Sequence, residues 1–110
     1  MTLNLVGATI TCVLGILGLV CPMVAARFTS IQPDGKTGLS EIRATYGGFF
    51  LALGAHGLVV QEDLAFSMLG IAWLGAAGGR MVSVLVDQSR EAKNLGGVLF
   101  EGCIGVLLLL

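Results

Sequence analysis

The first apolar run of the chain places the strongest constraint on its fold. Residues 3–26 contain no Asp, Glu, Lys, Arg or His. As a helix rising about 1.5 Å per residue, this run exceeds the hydrocarbon core of a bilayer, which is about 30 Å thick. Three further apolar runs follow it, and charged residues separate them. The pattern predicts helices over about 3–26, 42–60, 64–86 and 93–110.

The composition agrees with a membrane location. Hydrophobic residues make up 55% of the 110 residues and charged residues 12%, whereas an ordinary soluble domain is about 25% charged. A soluble domain of this size exposes too much of its surface to hide so much apolar side chain. A net charge of −1 without a basic run excludes nucleic-acid binding. We predict a single domain over residues 1–110, an all-α integral membrane four-helix bundle in the lipid bilayer.

The basic residues predict the orientation of this bundle. With four spans in up-down topology, all of them fall on or near one side, and the opposite side holds both termini and residues 61–63. The positive-inside rule then places both termini on the non-cytoplasmic side. The six basic residues are Arg27, Lys36, Arg43, Arg80, Arg90 and Lys93.

The first run has an alternative interpretation. A cleaved signal peptide ending near Ala26 would also be apolar, but residues 3–26 lack a basic segment before them and are long for a signal peptide. We therefore expect a retained helix that bends at Pro22.

Two ionisable residues lie inside predicted spans. Arg80 precedes the end of the third span by roughly 10 Å, and Glu101 follows the start of the fourth by roughly 9 Å, at the rise of an α-helix. Because the two helices are consecutive and antiparallel, both side chains reach a similar depth. Charged groups at such positions usually pair and often mark functional sites. The sequence therefore predicts an Arg80–Glu101 ion pair.

Further polar residues lie near the same level of the predicted bundle. Two interpretations of this set remain open: a structural network that holds the helices together, or a polar pocket in the cytoplasmic half that binds a ligand. The set comprises Glu41, Arg43, Tyr46, Arg80, Asp87 and Glu101.

Small residues recur at helical spacing and predict close helix contacts. They favour either a homo-oligomer or a subunit of a larger membrane complex. Trp73 lies in the middle of its span, which predicts packing against lipid or a partner subunit. The small-residue positions are Ala44, Gly48 and Ala52, Gly75 and Gly79, and Gly97 and Gly105.

The sequence offers little for cofactor chemistry. His56 is the single histidine, and Cys12, Cys21 and Cys103 lack metal-ligand spacing. We predict no metal site, no cofactor and no catalytic residue.

One set of motifs resembles a known family. The run from Glu41 to Gly48 (EIRATYGG), the segment from Leu74 to Arg80 with Ser83 and Asp87, and then Glu101 resemble a bacterial family of small four-pass membrane proteins of unknown function. The resemblance covers most of the chain and implies four helices in the bacterial inner membrane. It implies no activity.

Three functions are compatible with these features. The leading hypothesis is a binding or accessory protein whose polar cluster holds an amphiphilic small molecule or contacts a larger membrane complex. The first alternative is a proton-linked transporter that uses Glu101 or Asp87. The second is a membrane enzyme on a lipophilic substrate, with Tyr46 or Glu101 as general acid or base.

Overall fold

A computed structural model describes residues 2–110, and those residues form helices without a β-strand. The all-α class is therefore confirmed. The helical elements are α1 (Leu3–Val20), α2 (Pro22–Thr29), α3 (Gly35–Ile42), a π-helical segment (Arg43–Phe49), α4 (Phe50–Val60), α5 (Asp63–Val86) and α6 (Ala92–Leu109).

Three of these helices, α1, α5 and α6, are long and apolar enough to cross a membrane. They support the predicted membrane class. The predicted span at residues 42–60 lies within a longer helical stretch, because α3, the π-helical segment and α4 follow one another without a break over residues 35–60.

The first predicted helix is shorter than expected. It ends at Val20 rather than at residue 26, and α2 begins separately at Pro22. Proline has no backbone N–H to donate to the preceding turn, and Cys21 leaves the helical region with φ −123° and ψ 67°. Pro22 therefore interrupts the helix instead of bending it.

The second predicted helix begins earlier than expected, at Gly35 rather than at residue 42. Asp34 has the extended backbone of a helix N-cap, and its carbonyl accepts a bond of 2.9 Å from the N–H of Gly38. Gly35 has φ 63°, which glycine tolerates without strain. Residues 33–35 therefore lead directly into the helix.

The chain divides into two compact units. The first, called here the α5–α6 unit, contains the described residues up to Gly7 and Gln61–Leu110. The second, the α1–α4 unit, is Ala8–Val60.

In the α5–α6 unit, two antiparallel helices pack through small and aromatic residues. Gly70 and Gly105 meet at a close approach of the two helices, since a Cβ built on Gly70 would lie 3.0 Å from the carbonyl oxygen of Gly105. Trp73 is 7% exposed and meets Phe100 edge-on at 6.4 Å between ring centroids. The expectation that Trp73 faces lipid or a partner is therefore wrong, because its ring fills the space between α5 and α6.

In the α1–α4 unit, backbone packs directly on backbone. A Cβ on Gly15 would lie 2.3 Å from the N of Leu51, and one on Gly18 would lie 2.2 Å from the carbonyl oxygen of Tyr46. Gly47 in turn lies against the backbone of Leu19. The glycines of α1 therefore allow direct backbone contact between α1 and the π-helical segment.

The contact face of residues 43–60 differs from the predicted one. Ala44 and Ala52 are exposed, whereas Gly47 and Gly54 are buried. The π-helical segment has a wider turn than an α-helix, so the residues that share a face are no longer four apart. Packing within this chain therefore uses Gly47 and Gly54 and not the predicted Ala44 and Ala52.

The glycine pair of α5 also differs from expectation. Within the part of the chain that the structure describes, a Cβ on Gly75 or Gly79 would meet no atom within 4 Å. Both glycines are exposed. Helix packing inside this structure therefore does not explain the pair.

Candidate functional site

Arg80 and Glu101 form an ion pair between α5 and α6. The Nε–H of Arg80 donates to Oε1 of Glu101 at 2.5 Å, and the side chains are 36% and 13% exposed, respectively. The pair exists because the antiparallel helices bring the two positions to the same level. Its carboxylate is mostly enclosed, and its guanidinium is the more accessible partner.

Asn94 extends this pair toward the start of α6. A second guanidinium nitrogen of Arg80, Nη1, donates to Oδ1 of Asn94 at 3.1 Å. The amide nitrogen of Asn94 donates to the carbonyl oxygen of Ser89 at 2.9 Å. Both polar atoms of the Asn94 side-chain amide are thereby hydrogen-bonded, and its Oδ1 orients one edge of the guanidinium. We call Arg80, Asn94 and Glu101 the Arg80 cluster.

Gly97 provides the surface on which the guanidinium lies. A Cβ at this position would stand 2.9 Å from Nε and 3.0 Å from Cζ of Arg80. The guanidinium of Arg80 therefore lies against the bare backbone of α6 at Gly97. The sequence predicts a close helix contact at Gly97, and the structure places the Arg80 side chain there instead.

The connection between α5 and α6 carries its own hydrogen bonds. The Ser83 hydroxyl donates to Oδ2 of Asp87 at 2.8 Å, so Asp87 pairs within its own helix end and not with Arg80. The Ser89 hydroxyl donates to Oε2 of Glu91 at 2.7 Å. That hydrogen bond, together with the backbone N–H of Glu91, lowers the pKa of the Glu91 carboxyl.

Arg43 belongs to the α1–α4 unit and has a different partner. Its Nη1 donates to the backbone carbonyl of Leu19, in the last turn of α1. Helix carbonyls at a C-terminus lack intrahelical partners and attract positive charge. Arg43 therefore caps α1 where Pro22 interrupts the chain.

Tyr46 and Glu41 do not join Arg43 in a polar site. Tyr46 packs against the buried cluster of Ala25, Ala26 and Ile42, and its ring lies 5.9 Å from that of Phe50. Glu41 is exposed.

The predicted set is distributed over both units. Arg80 and Glu101 meet, Asp87 lies nearby in the same unit without contacting them, and Glu41, Arg43 and Tyr46 belong to the α1–α4 unit. Sequence analysis missed Asn94. Its position seven residues before Glu101 places it on the same face of α6 two turns away, which is a signal that could have identified it.

The chemistry of the Arg80 cluster favours binding through hydrogen bonds. Nε and Nη1 of Arg80 are occupied, and within residues 2–110 the structure gives no partner to Nη2. A guanidinium edge with free N–H groups binds carboxylate or phosphate oxygens. The described residues contain no group of three or more His, Cys, Asp or Glu side chains that could hold a metal ion.

These features define a small helical membrane protein with an ion pair between two apolar helices. Over residues 2–110 the chain matches the family described as a domain of unknown function, DUF4345, and it belongs to that family. Membership agrees with the resemblance to an uncharacterised family. Comparisons with curated proteins and with solved structures find no match.

Proposed function

We propose that this protein is a four-pass protein of the bacterial inner membrane that binds the anionic headgroup of an amphiphilic molecule at the Arg80 cluster. Both termini lie on the non-cytoplasmic side in this proposal. The three apolar helices α1, α5 and α6 supply three passes, and the continuous helical stretch over residues 35–60 supplies the fourth. The basic residues then fall on or near the cytoplasmic face.

The observation that carries the binding proposal is the unequal exposure of the ion pair. Glu101 is 13% exposed and Arg80 is 36% exposed, so the acid is enclosed while the guanidinium presents an outward edge. A phosphate or carboxylate oxygen can reach that edge without displacing Glu101 or Asn94. The exposed apolar side chains of the same helices, such as Val82 at 58% and Leu99 at 70%, offer surface for an acyl chain.

The position of the cluster suits a headgroup. Arg80 lies about 9 Å along α5 from its end at Val86, at the rise of an α-helix, which is within reach of the interfacial layer of a bilayer. Arg90 and Lys93 follow in the adjoining connection and the first turn of α6. They add positive charge near the entrance and attract anionic molecules.

Native mass spectrometry of gently extracted protein tests this proposal. We expect wild-type protein to retain an added alkyl phosphate, and Arg80→Gln to retain at least tenfold less of it. Lys36→Gln removes a positive charge from an exposed position of the α1–α4 unit and serves as the control, with retention within twofold of wild type. Equal retention by Arg80→Gln and wild type contradicts the proposal, and a co-purified protein in place of an amphiphile favours the complex-contact alternative.

The topology has a separate test. Single cysteines placed at Gln88 and at Glu62, in a background without Cys12, Cys21 and Cys103, report the side of each connection. In intact cells, a membrane-impermeant maleimide should label position 62 and spare position 88. Labelling of both positions, or of position 88 alone, contradicts the proposed orientation.

A further inference from the structure

A cavity of about 330 Å³ lies in the α5–α6 unit, where α5 begins and α6 ends. Its lining combines polar side chains from α1 and α5 with apolar side chains from α5 and α6. The pocket is open to the surface, Asp63 is exposed, and its volume lies at the lower end of the range of small-molecule sites. The lining residues are Asn4, Asp63, Phe66, Ser67, Leu108, Leu109 and Leu110.

Two polar groups of this lining have no partner of their own. Among residues 2–110, the structure gives no hydrogen bond or ion pair to the carboxylate of Asp63 or to the hydroxyl of Ser67. These residues are four positions apart in α5 and so lie on one face of the helix. Both are therefore available to a ligand in the cavity.

Two of the apolar lining residues are buried in the packing of the unit. Phe66 is 4% exposed and Leu108 is 2% exposed, which makes them fixed walls of the unit. Leu109 is 45% exposed and lies toward the opening. A ligand there would have both hydrocarbon from these residues and the carboxylate of Asp63 in its lining.

The charge of the lining determines whether a positively or a negatively charged ligand fits. Asp63 is its one charged side chain, and no Lys or Arg lines the cavity. A divalent metal ion would require several more oxygen ligands than one carboxylate, one amide and one hydroxyl supply. An organic ammonium group needs one carboxylate and a few acceptors, which the cavity has.

We propose that this cavity binds an organic ammonium ion, with its charge on Asp63 and Ser67 and its apolar stem against Phe66, Leu108 and Leu109. The site is separate from the Arg80 cluster, because Asp63 and Arg80 are roughly 26 Å apart along α5. It binds the opposite charge and does not depend on the proposed function. The ammonium group belongs either to a free alkylamine or to a lipid with an amine headgroup.

Calorimetric titration of octylammonium into wild-type protein in phosphatidylcholine nanodiscs tests this site. We expect saturable binding that Asp63→Asn weakens at least tenfold. Glu62→Gln is the matched control, because it removes the neighbouring acid from outside the cavity, and its affinity should stay within twofold of wild type. Equal affinities of Asp63→Asn and wild type overturn the proposal, as does an equal loss in both variants, which would indicate general surface charge.

A variant with the carboxylate intact tests the cavity itself. Leu109→Trp places a large ring at the opening, and we expect it to weaken octylammonium binding at least tenfold without changing the charge. Unchanged affinity in this variant contradicts binding in the cavity. Replacing part of the phosphatidylcholine with phosphatidylethanolamine identifies the source: weaker octylammonium binding indicates a lipid occupant, and unchanged binding indicates a free amine.

Discussion

The guanidinium of Arg80 lies between the carboxylate of Glu101 and the bare backbone of Gly97. The Nε to Oε1 distance is 2.5 Å, and the position that a Cβ on Gly97 would occupy is 2.9 Å from the same Nε. The absence of a side chain at residue 97 is thus a condition for the ion pair. Three residues on two helices define the geometry on which the proposed function depends.

Loss of the guanidinium should destabilise the protein. Arg80→Gln leaves the largely enclosed Glu101 without its cation, and we expect the free energy of unfolding to fall by about 2 kcal/mol. Denaturation in detergent micelles, followed by circular dichroism, measures it. Arg90→Gln, on the exposed connection, should change stability by less than about 0.5 kcal/mol.

The double variant measures the interaction energy between Arg80 and Glu101. When Glu101→Gln is combined with Arg80→Gln, the two losses should fall short of additivity by about 1 kcal/mol, because a pair with a 36% exposed guanidinium is partly screened. Additive losses would show that the two side chains do not interact.

Gly97 and Gly96 provide a matched pair of glycines on α6. Gly97→Ala brings a methyl group against Arg80, so the guanidinium must move, and we expect weaker alkyl phosphate retention together with a loss of stability of about 1 kcal/mol. Gly96→Ala meets no atom within 4 Å among the described residues and should stabilise α6 by about 0.5 to 1 kcal/mol. Equal stabilities and equal retention in the two variants would contradict the placement of the guanidinium on Gly97.

Gly18 tests the packing of the α1–α4 unit. Gly18→Ala places a methyl group 2.2 Å from the carbonyl oxygen of Tyr46, and backbone cannot yield as a side chain can. We expect a loss of about 3 kcal/mol in the same denaturation experiment. Gly48→Ala, whose nearest neighbour is at 3.9 Å, should lose less than about 1 kcal/mol. Wild-type stability of Gly18→Ala would rule out this close packing.

The hydrogen bond from Ser89 lowers the pKa of Glu91. Because the folded-state pKa of Glu91 is lowered, its contribution to stability is present above the ordinary glutamate pKa and is lost as the pH falls through the lower folded value. Ser89→Ala removes the largest cause and should raise the pKa of Glu91 toward its ordinary value. Carbon-13 NMR of the Glu91 carboxyl measures this shift, and Ser40→Ala is the control. An unchanged pKa in Ser89→Ala contradicts the assignment.

The ion pair is predictable from sequence because its partners lie on consecutive antiparallel helices at computable depths. Asn94 is harder to foresee, since its role depends on the hydrogen bond that fixes it to Ser89. The charge of Asp87 suggests a partner on another helix, but Ser83, one turn earlier, satisfies it locally.

The π-helical segment has no comparable signal in residues 43–49. It occurs where Gly15 and Gly18 of α1 admit its backbone and where Arg43 bonds to the carbonyl of Leu19. These contacts are distant in sequence, and local propensity carries no information about them. The packed face of residues 43–60 differs from the predicted one for the same reason, because a single wide turn changes which residues share a face.

The most direct measurement is the NMR signal of the Arg80 Nε–H group in detergent micelles during titration with dodecyl phosphate. We expect a saturable change in this resonance, a smaller change at Arg90, and no change when a neutral alkyl maltoside is added. A resonance of Arg80 that stays constant while dodecyl phosphate saturates the protein would contradict headgroup binding at the Arg80 cluster.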